Sequence, residues 1–348
     1  MLLILTQEKD MTTDDVIDWL RYYKVPFIRV NETSTFDINN LKISNDSIDA
    51  NIEINYKNLN KNRIKLSEIS AFWYRRGGIG FSRIALPEGI KGSRFSNLFK
   101  EKLGGYLFRE RQSITNLLYL YFITLPSIGN FFDNATNKVL NLQVAKSVGL
   151  SVPETLITNK VKELKKFHQE HGDLITKAID FGYVDIGTQN GKNISIAGYT
   201  HLIENYDLQD RKTLSLVQEK LDKKMELRIF FLHGRCFTSA IFSQSDKQTM
   251  IDFRHYNRTH PNRTPPYILP KEIEDKINKL MEALNMDSGS LDVVVTKSGD
   301  YVFLEVNPVG QFNQVSVPCN YYLEREIAKY FKSFVVEPKG KHQLLTTV

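Results

Sequence analysis

The sequence predicts an α/β protein of more than one domain (an α+β multidomain chain), and three observations carry that expectation. The chain has 348 residues, more than one small core accommodates and enough for two or three units. Its first thirty residues read strand, helix, strand, the pattern of a parallel βαβ unit. From residue 225 onward it carries paired β-prone runs separated by tight-turn residues, the pattern of antiparallel hairpins.

At the N-terminus, residues 2–5 are an apolar run that fits a buried strand. From Asp14 to Tyr23 the apolar positions Val16, Ile17, Trp19 and Leu20 recur at helical spacing, with Thr12 or Thr13 as candidate cap. Pro26 precedes the strand FIRV. The stretch 36–70 is rich in Asn, Asp, Ser and Lys and reads as short strands and loops, ISAFWYRR (69–76) as a strand ending at Gly77-Gly78, and 94–125 as largely helical before Pro126. These pieces form a first domain of roughly 125–135 residues.

Further on, KVLNLQVAKSV (138–148) is an amphipathic helix stopped by Gly149, and KVKELKKFHQEH (160–171) a highly charged one stopped by Gly172. The strand LITKA (174–178) follows. Asn190-Gly191 marks a hairpin turn within 183–198. LSLVQEKL (214–221) is a strand and its exit. MELRIFFL (225–232) and RCFTSAIF (235–242), joined by His233-Gly234, form the best hairpin in the chain. Pro270 starts a helix carrying Ile273, Ile277, Leu280, Met281 and Leu284. SLDVVVT (290–296) and YVFLEVN (301–307) are the last strands, and a helix occupies about 321–332.

Composition narrows the function classes. Charged residues make up 25% and the net charge is +6, which permits anionic partners without choosing among them. Cys236 and Cys319 are two cysteines without metal-pair spacing or a disulfide pattern, so a reducing compartment fits, and Cys236 reads as a core residue. The opening MLLILTQEKD is too short in its apolar run for a signal peptide, and 117–125 is too short to span a membrane; a cytoplasmic protein without a membrane partner is expected. There is no P-loop, no G-x-G-x-x-G and no G-x-S-x-G, and His255 and His260 lack a helical zinc spacing. Aromatics are not interleaved along a long basic surface, so nucleic acid is not expected.

The final strand pair is the most informative segment. Glu305 and Asn307 lie two apart on an otherwise apolar strand and so share a face. If its neighbour is the strand carrying Asp292, three oxygen-bearing side chains meet and suit Mg²⁺. Spacing alone leaves open a second reading, in which these carboxylates simply pair with nearby lysines. Lys138 begins a helix, where a cation opposes the dipole, and Lys177 lies within an apolar strand. Glu226 and Arg228, and Asp252 and Arg254, are i,i+2 pairs that ordinary salt bridging also explains. Several cations close to a Mg²⁺-like set resemble a polyphosphate site.

These residues, with MLLILTQEKD, VIDWLRYYKVPFIRVN, AFWYRRGG, EKLDKKMELR and FLEVNPVGQF, resemble the ATP-grasp superfamily along nearly the whole chain. Within it the chain looks most similar to ATP-grasp maturases of ribosomal peptides, the microviridin-type or graspetide ligases, and to their grasp-with-spasm group. The resemblance implies an ATP-grasp fold with an N-terminal pre-ATP-grasp α/β domain (1–135), a central lid domain (136–214), a C-terminal domain with the metal site (215–335) and a tail (336–348). It implies ATP and Mg²⁺ as cofactors. Lys138 and Lys177 would meet the phosphates, Gln218, Glu219, Lys220 and Leu221 the adenine, Glu226 the ribose, and Arg228 the γ-phosphate and then the acyl-phosphate. Asp292, Glu305 and Asn307 would hold the metal, and Asp252 and Arg254 would position peptide or phosphate.

The implied activity is peptide macrocyclisation: phosphorylation of Asp or Glu side chains of a precursor peptide, then ester or amide closure by Ser, Thr or Lys. The implied partners are a precursor peptide with a leader and a second copy of the chain. The hairpin at 183–198 and the helix from 160, with Asp180, Asp185 and the lysines of 160–166, are the candidate leader surfaces. Two other readings stay open, another ATP-grasp carboxylate–amine ligase acting on a protein terminus or small peptide, and a non-enzymatic peptide-binding module.

Overall fold

The computed structural model describes residues 1–56, 61–82, 96–132, 137–180, 183–187, 193–206, 209–210 and 213–335, with backbone alone for 96–101, 183–187 and 193–197. The chain divides into two compact units, Met1–Phe131 with Leu323–Val348, and Phe132–Tyr322.

The first unit begins with β1 (Leu2–Thr6), α1 (Met11–Tyr22) and β2 (Phe27–Asn31), the βαβ unit expected. Strands β3 (Thr35–Ser44), β4 (Ser47–Asn55) and β5 (Asn62–Lys65) form an antiparallel sheet of their own, longer and more regular than the polar composition suggested. Then come β6 (Ala71–Tyr74), the long α2 (Ser96–Ile123) and β7 (Ser127–Ile128). The parallel sheet runs β2-β1-β6-β7, with every residue of β1 and β6 buried, which is why both strands read as unbroken apolar runs. Helix α1 starts earlier than its periodicity indicates, with Asp10 rather than Thr12 or Thr13 at the N-cap. Thr13 instead turns inward, and its hydroxyl donates to the Asp10 carboxylate at 2.8 Å. Asp10 also accepts from the Thr6 hydroxyl at 2.9 Å and faces buried Arg75 at 3.6 Å.

The second unit opens with α3 (Lys138–Ser147), capped by the Asn137 side chain, which accepts from the Leu140 N–H at 3.1 Å. A four-stranded sheet follows, built from β8 (Thr155–Thr158), β9 (Leu174–Lys177), β12 (His201–Leu202) and β13 (Ser215–Glu219) in the order β12-β9-β13-β8. Helix α4 (Val161–His171) covers one face, burying Leu164 and Phe167 against Leu174 and Val217. Strands β10 (Tyr183–Gly187) and β11 (Asn193–Ala197) pair antiparallel as expected; the Asn190-Gly191 turn lies outside the described residues.

The larger sheet has the order β16-β15-β14-β17-β18, from β14 (Lys223–Leu232), β15 (Arg235–Ile241), β16 (Pro266–Tyr267), β17 (Ser288–Thr296) and β18 (Tyr301–Asn307). The β14–β15 turn has positive φ at both His233 and Gly234, a geometry matched to strand twist. One face is apolar: Leu227, Ile229 and Phe231 of β14 and Leu291, Val293 and Val295 of β17 pack with Ile277, Leu280 and Met281 of α5 (Lys271–Ala283). The other face carries the polar residues singled out above. Helix α6 (Asn313–Cys319) closes this unit, and α7 (Leu323–Val335) returns to pack with α1 in the first.

Candidate nucleotide and metal site

Strand register places the central residues in one row. Arg228 on β14 lies opposite Asp292 on β17, and Asp292 lies opposite Glu305 on β18. The spacing argument therefore holds for Asp292 and Glu305 as neighbours on adjacent strands. It needs one amendment, because β17 and β18 carry a bulge between Asp292 and Val293. The extra residue on β18 is Leu304, so Leu304 and Glu305 both line the same cavity while Phe303 and Val306 turn into the core. Asn307, two residues beyond Glu305, is half-buried opposite Ser290.

That cavity has a volume of about 550 Å³. Lys138, Lys177, Gln218, Glu219, Lys220, Leu221, Glu226, Asp252, Arg254, Asp292 and Glu305 all line it. Residues of the smaller sheet and of the larger one are thus brought together across one cleft. Sequence reasoning missed several lining residues, among them Lys223, Thr200, Met250 and Leu304. Lys223 had a signal in its i,i+3 spacing to Glu226, whereas Leu304 had none, since only the bulge turns it inward.

Lys138 reaches from the first turn of α3 to the Glu305 carboxylate at 3.5 Å, and its ammonium donates to the carbonyls of Ala178 (3.2 Å) and Asp180 (3.0 Å). Its unfavourable place in the helix is therefore offset by anchoring at the other end. Lys177 projects from β9 towards the same carboxylate. Burial lowers its pKa, the Glu305 charge opposes this, and Lys138 adds to the fall. Burial raises the Glu305 carboxyl, but Lys138, Lys177, Arg254 and Arg228 outweigh it and hold the group below the ordinary value. Arg228 pairs with Asp292 at 2.5 Å. Burial lowers the guanidinium's pKa, yet the Asp292 charge more than restores it.

Within β13 of the smaller sheet, Gln218 is almost wholly buried. Its amide nitrogen donates to the Thr155 hydroxyl at 2.9 Å, and that hydroxyl donates to the Pro153 carbonyl at 2.8 Å. This order fixes the amide orientation and leaves the Gln218 Oε1 buried with no donor among the described residues. The Glu219 and Lys220 N–H groups are taken by the carbonyls of Glu154 (3.1 Å) and Asp173 (2.8 Å). The Lys220 ammonium pairs with Asp173 at 2.9 Å. Glu226 accepts from Lys223 (3.1 Å) and from the Ser243 hydroxyl (2.7 Å), and burial raises its pKa against the pull of Lys223.

Asp252 and Arg254 form a clamp. The buried Asp252 carboxylate accepts from the Arg254 backbone N–H (3.0 Å), from its Nε (2.9 Å) and from its Nη2 (2.5 Å), and from the Thr200 N–H (3.0 Å). Burial alone would raise the Asp252 carboxyl, but Arg254 and the Thr200 N–H overcome it and bring the pKa down to about 2. The Arg254 guanidinium also lies 5.7 Å from the centre of the Tyr199 ring. The His255 ring lies tilted against the same ring, at 4.1 Å between centroids, in keeping with a structural loop rather than a zinc ligand.

A nucleoside triphosphate fits this donor set. Gln218 Oε1 offers a buried acceptor to an exocyclic amine, Leu304 an apolar surface to a ring, and Lys138, Lys177 and Arg254 offer cations to phosphates. A divalent cation fits as well, on one condition. Among the described residues no three His, Cys, Asp or Glu side chains gather into a metal cage. Asp292 and Glu305 are hard oxygen donors, and a Mg²⁺ held by two carboxylates draws its remaining ligands from phosphate and water. On the surfaces considered for a leader, Lys160 pairs with Asp210 at 3.2 Å and Lys166 with Glu170 at 3.8 Å; the Asp185 side chain lies outside the described residues.

Comparison with solved structures adds to this geometry. A Chryseobacterium gregarium RiPP-associated ATP-grasp ligase, solved with ADP and a leader and core peptide, superposes with a TM-score of 0.71 over 99% of both chains at 22% identity. The macrocyclase MdnC of Microcystis aeruginosa, solved with its precursor peptide MdnA, gives 0.70 over 96% of this chain and 100% of its own, at 24% identity. The fold is ATP-grasp. An N-terminal pre-ATP-grasp domain precedes the grasp, as in the matched structures. The ATP-grasp ligase PsnB, solved with a minimal precursor, Mg and ADP, gives 0.66 over 96% of this chain and 97% of its own, at 17% identity. No protein-family model and no curated protein matches the sequence. Among the described residues no helix is long and apolar enough to cross a membrane.

Proposed function

We propose that the chain is an ATP- and Mg²⁺-dependent peptide ligase that activates Asp or Glu side-chain carboxylates and closes them into esters or amides. The observation that carries this reading is the row Arg228–Asp292–Glu305, met by Lys138 and Lys177 from across the cleft. Its cations and carboxylates suit a transferring phosphoryl group better than either salt-bridging or a passive binding surface does. The solved ligases of the same fold, described with ADP, Mg and precursor peptides, support the choice of substrate.

In this reading residues 136–214 form the lid and 215–335 the floor, with the nucleotide between them. Gln218 and Leu221 read the base, Glu226 the ribose, and Lys138 and Lys177 hold the phosphates. Asp292, Glu305 and Asn307 would hold Mg²⁺, which when bound would neutralise phosphate charge. A substrate carboxylate oxygen attacks the γ-phosphorus, the bond to the β-phosphate bridging oxygen breaks, and ADP leaves. A Ser or Thr hydroxyl or a Lys amine of the same peptide then adds to the acyl carbon. The acyl–phosphate bond breaks, inorganic phosphate departs and the nucleophile's proton is released. Arg228 and Arg254 stabilise the negative charge that develops in both steps.

Helix α4 and the β10–β11 hairpin are the proposed leader surface, and a homodimer the proposed assembly. Incubation with an acidic, Ser/Thr-containing precursor peptide, ATP and Mg²⁺ is expected to remove one water mass per ring, with one ADP released for each. Unchanged peptide mass with its cognate precursor would refute the reading.

A further inference from the structure

Arg254 stands on the cavity wall with its side chain 47% exposed, so its direction depends on the few groups that touch it. Asp252 takes one edge of the guanidinium: Nε donates to both carboxylate oxygens (2.9 and 3.2 Å) and Nη2 to one of them (2.5 Å). The other terminal nitrogen, Nη1, donates to no protein group among the described residues and stays available to an anion. Contact along one edge acts as a hinge line, about which the plane can still tilt.

The face of the guanidinium is met from the other side of the cleft. Tyr199 belongs to the short segment 198–200 between β11 and β12, and the Arg254 guanidinium carbon stands over its ring, 5.7 Å from the centre. Gly198 and Thr200 on either side of it line the cavity, and the Thr200 N–H donates to Asp252 at 3.0 Å. His255, next to Arg254, lies tilted against the same ring at 4.1 Å between centroids. Residues 199 and 200 therefore touch Asp252, Arg254 and His255 together. An aromatic face attracts a guanidinium without occupying any of its N–H groups. A second carboxylate in that place would take up Nη1 and repel phosphate.

We propose that Tyr199 is a positioning residue that aims Arg254 at the negative charge developing in the cleft, so that the arginine is fully oriented only while segment 198–200 lies closed on residues 252–255. This rests on the ligase reading and adds to it a link between lid and floor: the contacts that join them also complete the arginine. With the segment drawn away, Asp252 loses the Thr200 N–H, Arg254 loses its ring, and the cation is held along one edge alone. The ring face supplies the contact, so the phenol hydroxyl is dispensable.

The test compares wild type, Tyr199→Phe, Tyr199→Leu, Arg254→Ala and the Tyr199→Leu/Arg254→Ala double variant, each as the full chain. ADP·Mg²⁺ binding is measured alongside peptide-dependent ADP release, with the precursor peptide that wild type dehydrates as the probe. Tyr199→Leu is expected to lower kcat about fivefold to tenfold, with KM for the peptide and ADP·Mg²⁺ affinity unchanged. Tyr199→Phe should restore wild-type kcat. The double variant should be no slower than Arg254→Ala, since the ring acts through a guanidinium already gone. Wild-type kcat in Tyr199→Leu, an equal loss in Tyr199→Phe, or multiplied losses in the double variant would overturn the assignment while leaving the ligase reading intact. So would a fall in ADP·Mg²⁺ affinity parallel to that in kcat, which marks a merely structural residue. A wild-type chain that dehydrates no peptide overturns both.

Discussion

Replacing Asp252 by Asn isolates the charge of one buried carboxylate while keeping its shape. In the native clamp that carboxylate accepts from Thr200 and from three nitrogens of Arg254, and its pKa is brought down to about 2 from an ordinary 3.8. That difference corresponds to roughly 2.5 kcal/mol of folding free energy for a fully screened-off group. Arg254 is 47% exposed, so water weakens the pair, and about half of this, roughly 1–1.5 kcal/mol, is expected to remain. The sign follows from the depressed pKa. The stabilisation is present in full above about pH 4, where the unfolded group is ionised, and is lost as pH falls towards 2. Urea unfolding at pH 7 should therefore show Asp252→Asn less stable by roughly 1–1.5 kcal/mol, with the gap to wild type closing below about pH 4. Ligase activity should fall further than stability, because Arg254 loses the partner that aims it. Equal midpoints at pH 7, or a gap that widens in acid, would refute the account of the clamp.

Glu305→Gln keeps volume but removes the charge facing Lys138 and Lys177; peptide dehydration read by mass should fall at least a hundredfold, and excess Mg²⁺ should not restore it. Gln218→Leu removes the buried acceptor on β13; competition binding should show weaker preference for ATP over GTP, while stability stays near wild type because Thr155 keeps its bond to Pro153. Gly310→Ala would place a Cβ 2.0 Å from the Ser290 Oγ and 2.6 Å from the Ser290 backbone nitrogen. Thermal unfolding should register a loss of about 1–3 kcal/mol as the loop after β18 shifts.

Much of the second unit was legible because its local signals agree with its tertiary roles. His233-Gly234 requires positive φ at both positions and delivers the β14–β15 hairpin. Gly149 and Gly172 end α3 and α4 with positive φ, as their places in the sequence indicate. Asp292 and Glu305 were visible because charged residues in apolar strands are costly without a partner. Other features depend on contacts that no local pattern encodes. The cap of α1 was misplaced since Thr13 gains more from the buried Asp10 cluster than from capping. The β3–β4–β5 sheet was underestimated because its polar, Asn-rich faces hide the alternation of Phe36, Ile52 and Ile54. Tyr256 and Gln314 lie 58 residues apart, yet the amide donates to the phenol oxygen at 3.2 Å, and nothing in either neighbourhood announces the pairing.

The bulge at Leu304 sets different tolerances for two kinds of genetic change. Two consecutive side chains of β18 face the cleft, one apolar and one charged, so the strand offers a surface for a flat ring beside a ligand for a cation. Substitution at position 304 among aliphatic residues preserves that arrangement. Loss of a single codon there would restore regular pairing with β17 and remove one of the two inward positions. The strand should therefore tolerate variation in which residues it carries much better than variation in how many.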